Sequence, residues 1–364
     1  MRAKLLSMGV LVAVSSATIS NQCTGQGGVR LISSEMSYDQ NGPHQPPFSD
    51  LSSPSDLQVA TDISGDFPDE VLSPGRVAGP VGGRYGAAEP LWEVYAGTVF
   101  LRRDRPDVAG PLGFDTLDFD VGVRAGVDID IRRRLGERHE LQLRYFGVDG
   151  WSDQFTDSGT ILATDWEAFA GFATRLHSSE VNLRSQWTDW MTVLGGFRWV
   201  ELSEQVAYEI DTVTTFPGIP PFIPPFSIAN DFAQRARTHN HLYGFQFGTD
   251  VLLWDRGGPL TINTDLKAGI YSNLAKNAGL LESPVGDIVG EGRKHHTAFL
   301  GELGIDTKYQ LTRHLALRAG YQLLWIEGVA LVNDNQFDAL AAGDVNTSGS
   351  PFYHGAMVGA ELNW

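Results

Sequence analysis

The chain has 364 residues, with 44 acidic against 27 basic side chains and a formal charge of −17. That balance excludes a nucleic-acid binder, whose basic footprint must neutralise phosphates. The single cysteine, Cys23, excludes an internal disulfide and a cysteine metal site. No run of about 18 apolar residues is present to form a membrane-crossing helix, but a membrane β-barrel passes that test unseen because only alternate residues are apolar.

The amino terminus reads as an export signal over residues 1–22. Arg2 and Lys4 form a short basic region and Leu5–Ala17 an apolar core, with cleavage expected after Ser20 or slightly later. Asn21 and Gln22 stand where an acylated cysteine needs small residues before it, so Cys23 reads as part of the leader or a bystander. Residues 23–90, rich in Pro, Ser and Gly, bury too little apolar surface to offset their ordering entropy. They are expected to form a flexible periplasmic or surface tail; a peptidoglycan- or partner-binding arm is the sharper alternative.

From Leu91 onward the texture changes to period-two alternation. Trp92, Val94, Ala96, Thr98 and Phe100 share one parity in a first strand. Asp118–Ile131 (DFDVGVRAGVDIDI) then sets Val121, Val123, Ala125, Val127, Ile129 and Ile131 against Asp120, Arg124, Asp128 and Asp130. Strands of soluble domains usually run about 5–6 residues, whereas one tilted across a bilayer needs roughly 9–11. Arg132–Arg138 is expected as a turn, followed by a short strand over Leu141–Tyr145 and a long loop from Gly147 to about Thr174. Ser178–Gln186 and the segment from Met191 flank a turn at Thr188-Asp189. In the second of these the faces are mixed, since Leu194, Val200 and Leu202 accompany Arg198, and a bulge near Gly195-Gly196 would explain it. Residues 211–236 contain TFPGIPPFIPPFS, too proline-rich for a ladder. Alternation resumes at Tyr243–Leu253, turns at Asp255–Pro259, and continues through Leu260–Ile270. After a loop to about Arg293 come Phe299–Tyr309, a turn, Leu315–Trp325, a polar loop, and finally Tyr353–Trp364.

About ten strands emerge, with connections that alternate between short turns and long loops, as in transmembrane barrels. Trp187, Trp190, Trp254, Tyr309, Trp325 and Trp364 fall at strand ends, where an aromatic girdle belongs. Open sheet edges are not tolerated in hydrocarbon, so the expectation is a closed antiparallel up-and-down transmembrane β-barrel over residues 91–364. A secreted β-sandwich is the alternative, against which the strand lengths argue. The aromatic Trp364 closing the last strand resembles the signal by which barrel-assembly machinery recognises its clients. That machinery and outer-membrane lipid are the expected partners.

The segment LHSSEVNLRSQWTDWMTVLGGFRWVELSEQ, starting at Leu176, resembles a hairpin typical of planctomycete outer-membrane β-barrel proteins. Leu176-His177-Ser178, Glu180-Val181-Asn182 and Gly196-Phe197-Arg198-Trp199, with Glu201 and Glu204, carry the resemblance. It implies a fold and a location, and no particular activity.

The interior parity carries the candidate functional charges: Arg124, Asp128, Arg144, Glu180, Arg184, Asp265, Glu302, Asp306 and Arg318. They are read as a mutually neutralising network filling a narrow bore, with a solute-selecting constriction as the competing reading. His177 and Ser179 share a face and invite comparison with the His-Ser pair of outer-membrane lipid deacylases, but no acid of the right parity completes a triad. The pairs His239/His241 and His295-His296 have no carboxylate spacing that completes a metal site, and Asp149, Asp153, Asp157, Asp165 and Glu167 lack calcium-loop spacing. The expected function is therefore a structural or surface role, without catalysis, cofactor or metal; passive small-solute permeation through a narrow charged lumen competes with it, and a lipid hydrolase using His177 and Ser179 is the alternative.

Overall fold

The structure is a computed structural model that describes residues 90–109, 116–220, 222–336 and 344–364. The expected signal peptide (1–22) and almost all of the expected linker (23–90) lie outside the described residues.

Ten strands close into a ring of antiparallel neighbours. They are β1 (Trp92–Arg103), β4 (Val123–Arg134), β5 (His139–Ile161), β6 (Thr164–Thr188), β7 (Met191–Phe216), β8 (Phe226–Asp255), β9 (Leu260–Glu282), β10 (Ile288–Gln310), β11 (Leu315–Glu327) and β12 (Phe352–Asn363). Each pairs with its predecessor in the ring, and β1 closes it by pairing with β12, from Glu93 with Asn363 to Arg103 with Tyr353. A separate small ribbon, β2 (Asp107–Ala109) with β3 (Thr116–Asp118), sits in the connection from β1 to β4. Over the stretch that all ten strands share, closure leaves no open edge, which is what a sheet in lipid requires; beyond it, Trp151–Ile161 of β5 pairs only with β6 and Ile288–Ala298 of β10 only with β9.

The wall is greasy on the outside. Val127, Leu143, Val181, Phe197, Phe245, Phe247, Leu266, Ile270, Leu303, Leu317, Val358 and Leu362 are all exposed, and they ring the barrel. A contiguous apolar belt of this extent is far larger than water-soluble monomers tolerate. Trp187, Trp190, Trp254, Tyr309 and Trp364 stand exposed at the short-turn end. Tyr145, Trp199, Tyr243 and Trp325 form the opposite rim. The fold is that of a transmembrane β-barrel of the outer-membrane type, and the spanning parts of the strands lie between these two rims.

The strands depart from expectation in one systematic way. β5 to β10 have 23 to 30 residues each, far more than a bilayer needs. The stretch 147–174, expected as a loop, is a hairpin that turns at Leu162–Ala163 with Leu162 at φ 58°. The proline-rich loop is confined to 217–225, and β9 and β10 are joined by residues 283–287 rather than by a loop reaching Arg293. These segments continue the ladder beyond the outer rim as a raised sheet.

Three further expectations change. The strand expected over Asp118–Ile131 begins at Val123, because Gly122 takes a left-handed conformation (φ 63°) and breaks the run. Phe119 and Val121 consequently turn into the interior core instead of facing lipid. The turn expected at 132–138 is Leu135–Arg138, since β4 continues to Arg134. No bulge occurs at Gly195-Gly196: both pairings of β7 run through it without a shift, and the one irregularity between β6 and β7 lies at Gln186/Thr188. Leu194, Val200 and Leu202 therefore share the inner face with Arg198, and all four are buried.

Leu266 is exposed midway along the lipid belt, paired with Leu303 and Thr249. Leu266→Arg is expected to destabilise the folded barrel by about 2–4 kcal/mol, read by urea titration of refolding into vesicles. Ala278→Arg on the raised sheet of the same strand should cost far less.

Candidate functional site: the filled lumen

The inner parity of each strand points into the barrel, and three layers fill it. Nearest the short turns is a water-accessible cup of ≈ 200 Å³, whose lining includes Asp130, Arg132, Arg184, Asp250, Lys308 and Arg318. Its charges pair across strands. Arg318 donates to Asp306 at 2.7 Å, Arg184 pairs with Asp250, and Lys308 pairs with Glu361. Gln142 donates to Asp130 at 2.8 Å.

Above the cup the lumen is crossed by a buried ionic layer. Arg144 contacts Glu302 at 2.6 Å and Asp128 at 3.2 Å. Arg198, with none of its surface exposed, contacts Glu302 at 2.7 Å and donates to Ser178 Oγ at 2.8 Å. Lys267 contacts Glu180 at 3.1 Å and Glu302 at 3.4 Å. Three cations thus meet three carboxylates. Neutral amides add to the pairing: Gln246 and Asn182 donate to Glu180 at 2.8 and 3.0 Å, and Gln322 accepts from Arg144 at 3.0 Å, while Arg198 Nη2 and Gln322 Nε2 are buried without a hydrogen-bond partner. Buried charges are costly unless paired in this way.

Phe146 roofs the layer, its ring 5.4 Å from the Arg144 guanidinium and 5.7 Å from that of Arg198. Beyond it the interior is apolar. Val99, Leu101, Leu176, Val200, Leu242 and Leu300 belong to one buried cluster that also takes in Phe119, Trp151 and Phe172. The segment after β11 folds into this core, with Val329 and Val332 fully buried. Gly328 makes the entry at φ 85°, where a Cβ would come within 2.7 Å of the Thr297 carbonyl. Inserted backbone needs partners, and inward-pointing asparagines supply them. Asn240 both donates to the Ala330 carbonyl and accepts from its amide, each at 2.7 Å. Asn273 donates to the Gly328 carbonyl at 3.0 Å, and Asn277 to that of Asn335 at 2.8 Å. Glu204, paired with Arg103, accepts the Val332 amide at 2.9 Å.

Of the candidate charges, Asp128, Arg144, Glu180 and Glu302 form the ionic layer, and Arg184, Asp265, Asp306 and Arg318 line the cup. Arg124 belongs to neither. It lies at the start of β4 beyond the outer rim, where it donates to the Gly150 carbonyl at 2.8 Å beside the register shift of β5. Arg198 and Lys267, both central, were absent from the candidate set. Lys267 shares the parity of Asp265, which was the available signal. For Arg198 the leucines and valine on its own face obscured it.

His177 and Ser179 share the outer face, as their spacing requires, but they do not form a nucleophile–base pair. Both ring nitrogens of His177 are engaged, Nδ1 by the Tyr145 hydroxyl at 3.0 Å and Nε2 by Asp149 at 3.1 Å. The hydrogen bond from His177 holds the Asp149 carboxyl below its usual range. Asp149 is the acid that sequence reading did not connect to this histidine, because the β5 irregularity between Val148 and Trp151 breaks the simple parity count. Among the described residues no cluster of three or more His, Cys, Asp or Glu side chains is arranged to hold a metal ion.

No protein-family model matches the sequence, and no curated protein matches it. Solved structures of similar outline include the outer membrane protease OmpT from Escherichia coli (9% identity, 77% of this chain and 99% of that one, TM-score 0.42). They also include the translocator domain of the autotransporter NalP from Neisseria meningitidis (11%, 77% and 90%, TM-score 0.32) and the Ralstonia pickettii toluene transporter TbuX (8%, 76% and 90%, TM-score 0.31).

Removing Glu302 leaves Arg144, Arg198 and Lys267 facing Asp128 and Glu180 alone. Glu302→Ala is expected to cost about 3–5 kcal/mol, the usual penalty for an uncompensated buried charge, measured by the urea midpoint of the detergent-solubilised barrel. An apolar replacement of the whole cluster should cost less than this single truncation.

Proposed function

We propose that the protein is exported, inserted into the outer membrane, and serves there as a non-conducting, non-catalytic barrel that displays a rigid sheet at the cell surface. The observation that carries this reading is the filled lumen: a paired ionic layer and, beyond it, a buried apolar cluster occupy the bore among the described residues. Passive permeation, the competing role, needs a continuous aqueous path. Lipid hydrolysis through His177 needs a free ring nitrogen facing Ser179, and both nitrogens are held elsewhere.

Planar-bilayer recording on the purified full-length protein is the direct test. The expected trace is flat, and stable stepwise conductance would overturn the sealed-barrel reading. Fatty-acid release from outer-membrane lipid is expected to be at background for the native protein and for His177→Ala alike; activity that falls on that substitution would establish an enzyme.

A further inference from the structure

On the raised sheet, strand register sets the outward-facing side chains of β8 to β10 in rows. Lys276 and Arg293 stand opposite each other in one row. Arg237, Ala278 and Glu291 form the next, and Arg235, Leu280 and Val289 the third. Arg237 lies six residues past Tyr243 of the outer rim. At the tilt usual for such strands, the middle row therefore stands about 15 Å beyond that rim, in water. A groove of ≈ 310 Å³ opens over the two upper rows. Ala278 and Leu280 of β9 floor it, between Arg235 and Arg237 on β8 and Val289 and Glu291 on β10. Val289 is 62% exposed, which leaves an apolar wall in contact with water.

The charges around this groove are unequally matched. Arg235 is held by Glu209 at 3.0 Å and Glu282 at 4.0 Å. Arg237 donates to the neutral Gln205 at 3.0 Å, which leaves the rest of its planar fork open. Among the described residues, neither Arg237, Lys276 nor Arg293 has a carboxylate within ion-pair distance. Glu291 is exposed and has no cation partner there either. Three unmatched cations against one unmatched carboxylate make the groove and its foot electropositive. Arg237 and Glu291 root two strand spacings apart, about 9–10 Å, with the Ala278 methyl between them.

We infer that this groove binds a small, water-soluble organic acid: an apolar body that bears a single carboxylate. The Arg237 guanidinium takes the carboxylate through its open N–H groups, in the forked geometry that suits this anion. Lys276 and Arg293, one row below, add attraction without needing to touch it. The body lies over Ala278, Leu280 and Val289 and displaces water from them. An inorganic anion would meet the same cations and leave that apolar floor wet. Glu291 on the far wall repels a second carboxylate, so a monoanion fits and a dianion does not.

This binding goes beyond the sealed-barrel reading and does not depend on it, since bore conductance and groove occupancy are separate measurements. Ligand-observed NMR on the refolded full chain in detergent reads the groove, with phenylbutyrate as the probe. Its neutral amide, phenylbutyramide, controls for partition into micelles. The native protein is expected to bind the acid saturably and the amide not at all. Arg237→Gln should weaken binding at least about tenfold, the size of one charge-assisted hydrogen bond. Glu291→Gln should tighten it about twofold, because a like charge at roughly 10 Å is removed. Arg256→Gln at the opposite, short-turn end should leave it unchanged. Heat-modifiable migration on a gel verifies that each variant is folded. No saturable binding by the folded native chain, or undiminished binding by folded R237Q, would overturn the inference. So would weaker binding by E291Q, which marks a zwitterion as the ligand, or equally tight competition by inorganic phosphate, which marks a plain anion patch. Loss in R256Q equal to that in R237Q would reduce the effect to overall charge and overturn it too.

Discussion

Arg198 places a guanidinium, wholly out of solvent, at a level where the outer surface of the same wall faces hydrocarbon. A charge in that position has neither water nor lipid headgroup to solvate it, so the protein must supply every counter-charge. It does so with Glu180 on β6 and Glu302 on β10, which also hold Arg144 on β5 and Lys267 on β9, while Asp128 on β4 pairs with Arg144. Contacts such as Arg144–Glu302 join residues on opposite arcs of the barrel. Because strand side chains alternate, a one-residue slip of any of these strands would turn a charge out into lipid and leave its partners bare. The ionic layer therefore fixes register for six of the ten strands of the ring, whatever its net worth as stabilisation.

The same chemistry explains why the interior changes character with height. Between the rims, the outer face must be apolar and the inner face carries the polar groups. Past the outer rim the surroundings are aqueous, and the ordinary rule returns: polar outside, apolar inside. β7 shows the inversion within one uninterrupted strand. Its outer face runs Phe197, Trp199, Glu201, Ser203 and Gln205, while its inner face runs Arg198, Val200, Leu202, Glu204 and Val206. The upper barrel is thus a soluble-type β structure with a largely apolar core around the buried Arg103–Glu204 pair, built on top of a membrane-type one with a charged interior.

That inversion also marks where the sequence stops being legible. The lipid belt could be read residue by residue, since Phe245 and Phe247 or Leu303 and Ile305 alternate cleanly with Gln246 and Gly304. Alternation fades where the two faces trade chemistry, and there strands were read as ending: at Tyr145, before Ser178, after Leu202 and before Tyr243. The mixed face at Leu194, Arg198 and Val200 looked like a bulge because a single polarity was assumed for the whole strand. Proline correctly barred 217–225 from the ladder but said nothing about Asp211–Phe216 or Phe226–Ala236, which pair in full. The inserted segment was out of reach for another reason. Asn240 and Ala330 are bonded across 90 positions of chain, and no local pattern in either announces the other.

Strand extension also decides what kind of surface is presented. A loop of the length first read between Gly147 and Thr174 would lose much ordering entropy on binding anything. As a hairpin, it is ordered in advance by pairings that run from Trp151 with Thr174 to Ile161 with Thr164. The β7–β8 hairpin reaches higher still, and its ladder holds to Phe216 with Phe226, whose rings stack at 4.9 Å. Ile219 and Ile223 bridge beyond them and leave Phe222 largely exposed at the tip. Apolar side chains at the end of a continuous ladder are held in fixed geometry relative to the membrane, because every hydrogen bond beneath them is shared with the wall that lipid surrounds.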